Sequence, residues 1–340
     1  MKSIVTFLRG AGRVLAAFAV AGTLAASATA QTAPIVMKIG TATVNDPQHE
    51  WMKVFAALVE RGSNNRIKVE IYPASQLGTI PRMIEGTQFG SIQGFVGPPE
   101  FLSAVDSRFE VLSAPGLFKD IPHAKRTLED PEFDAAFMAL GANKGLKGIG
   151  LFINGPAAIV TRSPVRKLAD LEGKKVRVLA SPLQMEQMRR LKATPVPMSL
   201  GEVLPALQQG ALDGMMGGPV FTVFKFYDVA KYMYEPNHLI VITMTVINKS
   251  WFDKLAPDLQ KVVADAGMKA TKDVYQYTID YLAKQREGWT AAGGEITQPT
   301  AAEHAQLMKL MLPIGDEVTS RKPEEKALFE LLQKAAKRTE

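Results

Sequence analysis

Cysteine is absent from the 340-residue chain. That excludes disulfide staples, a thiol nucleophile and a cysteine-ligated metal, so an exported form must stand on its core alone. Histidine is scarce, at four residues. His123, His238 and His304 show no ligand spacing. His49-Glu50 fails as the start of an HExxH site, because Lys53 stands where the second histidine belongs. No metal or other cofactor is expected. There is no GxSxG elbow and no complete Walker loop, so the sequence marks neither a serine hydrolase nor a phosphate loop. Charge of one sign is also limited. The formal net charge is +6, and no Arg/Lys cluster with interleaved aromatics appears, so no nucleic-acid partner is expected.

Long apolar runs are nearly missing. One, VLAAFAVAGTLAA at residues 14–26, follows Lys2, Arg9 and Arg13 and precedes Ala28-Thr29-Ala30. A basic leader, an apolar run and a small-x-small site read as a secretory signal peptide over residues 1–30, cleaved after Ala30. The run is shorter than the ~20 residues a spanning helix needs. Gly10 and Gly12 fall inside this leader and are no phosphate loop. Removing its three cations takes the formal net charge from +6 to +3. The remaining chain is expected to be exported and soluble, with length for two domains.

What is present is an alternating pattern. VMKIGTATV (36–44) alternates as a strand does, and helical spacing over His49–Arg61 follows. RIKVEIYP (66–73) is a second strand, Pro81–Phe89 a short helix, and SIQGFVG (91–97) a third strand. This β-α-β-α-β order predicts a parallel sheet with helices on both faces. About 60 residues later the order restarts, with strands at 147–153, 175–180 and 193–198 and helices at 184–191 and 201–209. LIVITMTVINK (239–249) is a long β-rich run. Asp258–Gly288 is a long helix behind Pro257, and 301–340 is helical with breaks at Pro313 and Pro323. Two α/β lobes with chain crossings between them predict a cleft closed by a hinge.

The segment GKKVRVLASPLQ (173–184) places Val176 and Val178 on one strand face and Arg177 on the other. Three environments suit Arg177: an edge strand with the side chain reaching water, an ion pair within one lobe, or a cleft where it grips a ligand carboxylate through two parallel hydrogen bonds.

YPASQLG (72–78), APGLFKD (114–120), DLEGKKVRV (170–178), ATPVPM (193–198) and GEVLPALQQGALDG (201–214) fall in that order along the chain. The set resembles the solute-binding proteins of tripartite ATP-independent periplasmic (TRAP) transporters, the DctP-like family. The resemblance implies a two-lobed periplasmic-binding-protein-like α/β fold with a hinge and a long helix spanning both lobes. It assigns 31–154 with 243–282 to one lobe and 155–242 with 283–340 to the other. It also implies a periplasmic location, a carboxylate ligand, TRAP permease membrane subunits as partners, no cofactor and no catalysis. Arg177 matches the family's carboxylate-clamping arginine.

Departures from the family pattern bear on the ligand. Ala157 stands where many relatives carry a second arginine, in the stretch Asn154-Gly155-Pro156-Ala157. Gly217 replaces an asparagine, Gly97 a polar residue ahead of Pro98, and Leu200 an aromatic. The expected ligand is therefore a monocarboxylate with an apolar, aromatic body. The expected site is Arg177 with Asn154, Phe95, Pro98, Met216, Gly217, Leu200 and Phe221, and with His49 and Trp51 reaching a distal ring substituent. A small 2-oxo acid or a dicarboxylate is the alternative ligand. An exported hydrolase or lyase is the alternative class, and it lacks a visible triad.

Overall fold

Asp46 closes the first strand's exit turn and starts the first helix. In a computed structural model that describes residues 33–221 and 224–340, the Asp46 carboxylate accepts from the His49 backbone N–H at 3.0 Å. Pro47 fills the first helical position, where no backbone donor is needed. The helix Pro47–Gly62 then buries Trp51, Met52, Phe55 and Val59 along one face. The expected signal peptide lies outside the described residues.

The strands, in chain order, are β1 (Ile35–Thr41), β2 (Ile67–Tyr72), β3 (Gly94–Gly97), β4 (Leu146–Pro156), β5 (Ala158–Thr161), β6 (Lys175–Val178), β7 (Thr194–Pro197), β8 (Gly214–Gly217), β9 (Tyr232–Tyr234), β10 (Ile240–Asn248) and β11 (Glu295–Thr297). They form two sheets, ordered β2-β1-β3-β10-β4 and β11-β9-β5-β8-β6-β7. The parallel β-α-β reading holds for β1, β2 and β3 and again for β6, β7 and β8. It fails for the strand expected at 147–153 in the second unit, which is β4 of the first sheet, antiparallel to β10. β10 also runs antiparallel to β3, and β5 is antiparallel to β8 and β9. Both sheets are therefore mixed. β10 can reverse because residues 235–239, after β9, bring the chain back from the second sheet.

The stretch Asn154-Gly155-Pro156 is the end of a strand. β4 runs through it beside β10, with Ile153 opposite Ile242 and Gly155 opposite Val241. Asn154 is the extra residue of a β-bulge there. Gly155 takes φ +148, and a Cβ on it would lie 2.7 Å from Leu282 Cδ2 and 2.9 Å from Pro219 Cγ, so only glycine suits this crossing. One residue further, the Ala157 N–H donates to the Leu239 carbonyl at 2.9 Å, where the chain enters β5.

The helix Pro257–Ala291 has 35 residues, about 52 Å of length at 1.5 Å per residue. It packs on the helix Pro47–Gly62 and β4 beside the first sheet, then reaches β11 of the second. Near its end the Tyr281 hydroxyl donates to the Pro219 carbonyl at 2.7 Å, and Trp289 meets Phe221 and Tyr227 edge-on. The last helix, Pro323–Arg338, packs on helices Ile121–Leu128 and Pro131–Met138. Its Arg338 donates to both Asp130 carboxylate oxygens, at 3.0 and 2.8 Å.

Gly267 is where the long helix sits closest to the first sheet. A Cβ there would stand 2.3 Å from the Ile149 carbonyl oxygen, against backbone that cannot yield cheaply. Gly201, in the first turn of the helix Leu200–Gln208, has open space around it, and a Cβ there would meet nothing within 4 Å. Gly267→Ala should lower stability by ~1–3 kcal/mol through overpacking. Gly201→Ala should raise it by about 0.5–1 kcal/mol through helix propensity. Urea melts of the two variants check this, and equal effects would contradict the packing.

Candidate functional site

β6 lies between β7 and β8, with Arg177 opposite Val196 and Met215. The edge-strand environment for Arg177 is therefore excluded, and only 2% of the residue is exposed. Its Nε–H donates to the Met198 carbonyl at 2.8 Å, and Nη1 reaches the Met216 carbonyl at a long 3.4 Å. The guanidinium carbon lies 6.0 Å from the centre of the Phe101 ring. No carboxylate among the described residues pairs with it, and burial alone pushes its pKa down to about 10. It stays charged at neutral pH, with donors left over from a five-donor fork. The ion-pair environment is excluded with the edge strand.

These donors face a cavity between the two sheets. Its volume is about 40 Å³, on a measure in which one water takes ~10–15 Å³, so the occupant must be a small molecule. The second sheet and the helix after β7 contribute Arg177, Leu179, Leu200, Met215 and Gly217. The first sheet and its loops contribute Phe95, Gly97, Pro98, Phe101, Asn154 and Val241. Arg177 is the one cationic side chain among the described lining residues, and no lining residue is acidic. Gly217 lies beside the guanidinium, where a Cβ would stand 3.5 Å from Nη1, in ordinary contact. Gly97 makes room for the Phe95 ring, which a Cβ would meet at 2.5 Å.

A polar edge lies on the first-sheet side, where Thr43 and Gln48 also line the cavity. The Thr43 hydroxyl donates to Asp46 at 2.8 Å and the Thr41 hydroxyl to the Gln48 carbonyl oxygen at 3.1 Å. Burial pushes the Asp46 carboxyl up to about 6, against its hydrogen bonds from His49 and Thr43.

The structure thus brings Arg177, Asn154, Phe95, Pro98, Gly217 and Leu200 together around one cavity. Four expected residues do not line it. Met216 points to the opposite face from Met215 by strand alternation and is core, 1% exposed. Phe221 meets Phe226 and Trp289 edge-on inside the second lobe. Trp51 stacks on Phe55 and Phe152, and its indole N–H donates to the Thr271 hydroxyl at 3.0 Å. His49 turns back on its own loop, with Nδ1 accepting from the Asn45 N–H at 3.1 Å. Thr43, Gln48 and Phe101 take the places that sequence reasoning missed. The signal available for Gln48 was its position one residue after Pro47, in the first turn behind the capping Asp46.

This geometry defines a class: a two-lobed α/β receptor with one small-molecule cavity between its lobes. The model of the bacterial extracellular solute-binding protein family 7, DctP, matches residues 40–322, and the chain belongs to that family. It is a TRAP-type solute-binding protein, a receptor and not an enzyme. The chain is 30% identical over 277 residues to the 2,3-diketo-L-gulonate-binding periplasmic protein YiaO of Escherichia coli, covering 80% of this chain and 84% of that protein. It is 29% identical over 317 residues to the C4-dicarboxylate-binding periplasmic protein DctP of Rhodobacter capsulatus, covering 91% and 94%. A TRAP periplasmic solute-binding protein from Desulfovibrio salexigens, solved with bound orotic acid, superposes with a TM-score of 0.85 at 27% identity, covering 90% of this chain and 99% of that one.

Beside the cavity lie buried acids. Burial pushes Glu100 up to about 7, against the hydrogen bond from Ser113, and burial with the Glu325 charge pushes Glu110 up to about 7. A carboxyl whose folded value exceeds its unfolded value near 4.5 binds its proton more tightly in the fold. Its stabilising contribution is complete below about pH 4.5 and is lost as pH rises through 7. His238, pushed by burial down to about 4, acts in the opposite sense between pH 4 and 6.5. Between pH 6.5 and 8 the acids therefore dominate, and the Tm should fall. Glu100→Gln should flatten that fall by up to about 1 kcal/mol, the part of its contribution that remains to be lost above pH 6.5. An unchanged pH slope in Glu100→Gln would contradict the assignment.

Proposed function

We propose that this chain is a periplasmic receptor that binds a small monocarboxylate with an apolar, aromatic body and hands it to the membrane subunits of a TRAP permease. The carrying observation is Arg177: 2% exposed, charged, and without a carboxylate partner among the described residues. A buried cation of this kind is costly unless an anion meets it, and a ligand carboxylate supplies the geometry its fork matches. The lack of a second cation in the lining favours one carboxylate over two. Phe95, Phe101, Leu200, Met215 and Val241 favour an apolar body. The relatives' names, with their sugar acid, dicarboxylate and orotic acid, support an organic acid as the ligand class.

Residues 31–154 with 243–282 form one lobe in this reading, and 155–242 with 283–340 the other. Two of the divisions fall in β4 and β10 beside the Asn154 bulge, and the third falls within the helix Pro257–Ala291. Export by the residue 1–30 signal peptide completes it.

Arg177→Ala should remove a buried charge pair worth ~3–5 kcal/mol, a loss of about two to four orders of magnitude in affinity. Arg177→Lys should bind poorly as well, because a point charge cannot form the bidentate grip. Titration calorimetry with ligands from a thermal-shift screen checks both. The screen compares benzoates, cinnamates, 2-oxo acids, C4-dicarboxylates and sugar acids. Wild-type affinity in Arg177→Ala would overturn the site, and the largest shifts from dicarboxylates or sugar acids would overturn the ligand class.

Closure of the lobes on the bound acid should reduce the radius of gyration and raise the Tm by mass action. Small-angle scattering that is identical with and without saturating ligand would contradict a hinge.

A further inference from the structure

Two amide side chains in the cavity wall carry unused hydrogen-bonding groups of opposite polarity. Asn154 sits at the bulge in β4, which breaks the pairing with β10 and turns its side chain toward the cavity. The residue is 2% exposed. Its Nδ2 donates to the Thr243 hydroxyl at 3.3 Å, and its Oδ1 is buried without a partner. Gly218 stands directly over that oxygen, where a Cβ would come within 3.0 Å. Gln48 is also 2% exposed. The Thr41 hydroxyl donates to its Oε1, and the Thr43 N–H in turn contacts the Thr41 oxygen at 3.4 Å. The Thr43 hydroxyl is spent on Asp46. The Gln48 Oε1 end of the amide thus lies against Thr41, whose hydroxyl also lies 3.3 Å from the Thr43 hydroxyl. No partner for Gln48 Nε2 is found among the described residues.

We infer that Asn154 and Gln48 set ligand specificity, and that the acid this cavity takes carries a donor meeting Asn154 Oδ1 and an acceptor meeting Gln48 Nε2. The inference rests on the carboxylate being anchored at Arg177. It narrows the ligand from a plain aromatic acid to a ring acid bearing both a hydroxyl or ring N–H and a carbonyl or ether-like oxygen. It also divides the labour between lobes. Arg177 belongs to the second sheet, while Asn154 and the Gln48 helix belong to the first. An acid with all three features therefore touches both lobes with directed bonds. A bare benzoate touches only one.

The test is calorimetry with benzoate, 3-hydroxybenzoate and orotate on the full-length mature protein and on Arg177→Ala, Gln48→Met and Asn154→Leu. Orotate offers a carboxylate, ring N–H donors and carbonyl acceptors in one plane. In the wild type, orotate or 3-hydroxybenzoate should bind at least about tenfold tighter than benzoate, the discrimination expected when an unpaired buried polar group finds its partner. Gln48→Met and Asn154→Leu preserve volume. Each should reduce that ratio, taken between acids measured on the same variant, to within about threefold. Should Asn154→Leu fail to fold, Gln48→Met alone decides. Equal wild-type affinity for all three acids, or an undiminished ratio in the variants, would overturn the inference while leaving the Arg177 anchor intact. Wild-type affinity in Arg177→Ala would instead overturn the anchor, and the inference with it.

Discussion

A guanidinium buried between two sheets, with carbonyl oxygens but no carboxylate for company among the described residues, is the constraint around which this molecule is arranged. A buried charge needs compensation. Met198, just after β7, and Met216, in β8, supply part of it through their backbone carbonyls, with β6 lying between those two strands. Phe101 adds the face of its ring. Neither supplies a countercharge. Gly217 puts no side chain beside the guanidinium, and in the proposed reading a ligand's carboxylate completes what the protein leaves unfinished.

The rest of the fold follows from the need to bring two lobes to that point and let them part. The chain crosses through β4 into β5 and returns through β10, and these crossings sit side by side. Gly155 absorbs the bend with a backbone that L side chains rarely adopt. The Asn154 bulge next to it serves two ends at once: it ends regular pairing where a hinge belongs, and it turns an amide into the cavity. The 35-residue helix and the final helix span the outside, and Gly267 and the Arg338–Asp130 pair mark where they are tied down.

Much of this was legible in the sequence, and the misses share physical causes. The parallel β-α-β units and the long helix carry strong periodicity, so their positions read well. β5, β9 and β11, at four, three and three residues, are too short to show a period. The antiparallel placement of β10 depends on where the chain returns, which periodicity does not encode. At the site, Arg177 stood out because a cation in an apolar strand is anomalous. Trp51 and His49 misled because an aromatic and an imidazole after a strand look like ligand contacts, whereas the helix face buries one and a capping turn uses the other. Met216 was off by a single residue, which on a strand means the opposite face. Gln48 and Thr43 were invisible as site residues because their role depends on hydrogen bonds to Thr41 and Asp46 that only the folded loop creates.

The central claim is that Arg177 exists to meet a ligand carboxylate. A crystal structure of the protein with an acid that stabilises it against heat is the most direct measurement. The account predicts both carboxylate oxygens within about 2.7–2.9 Å of the Arg177 guanidinium nitrogens, with the ring held between Phe95 and Leu200. An acid bound in this cavity with its carboxylate turned away from Arg177, or bound elsewhere while Arg177 keeps only its carbonyl partners, would contradict it.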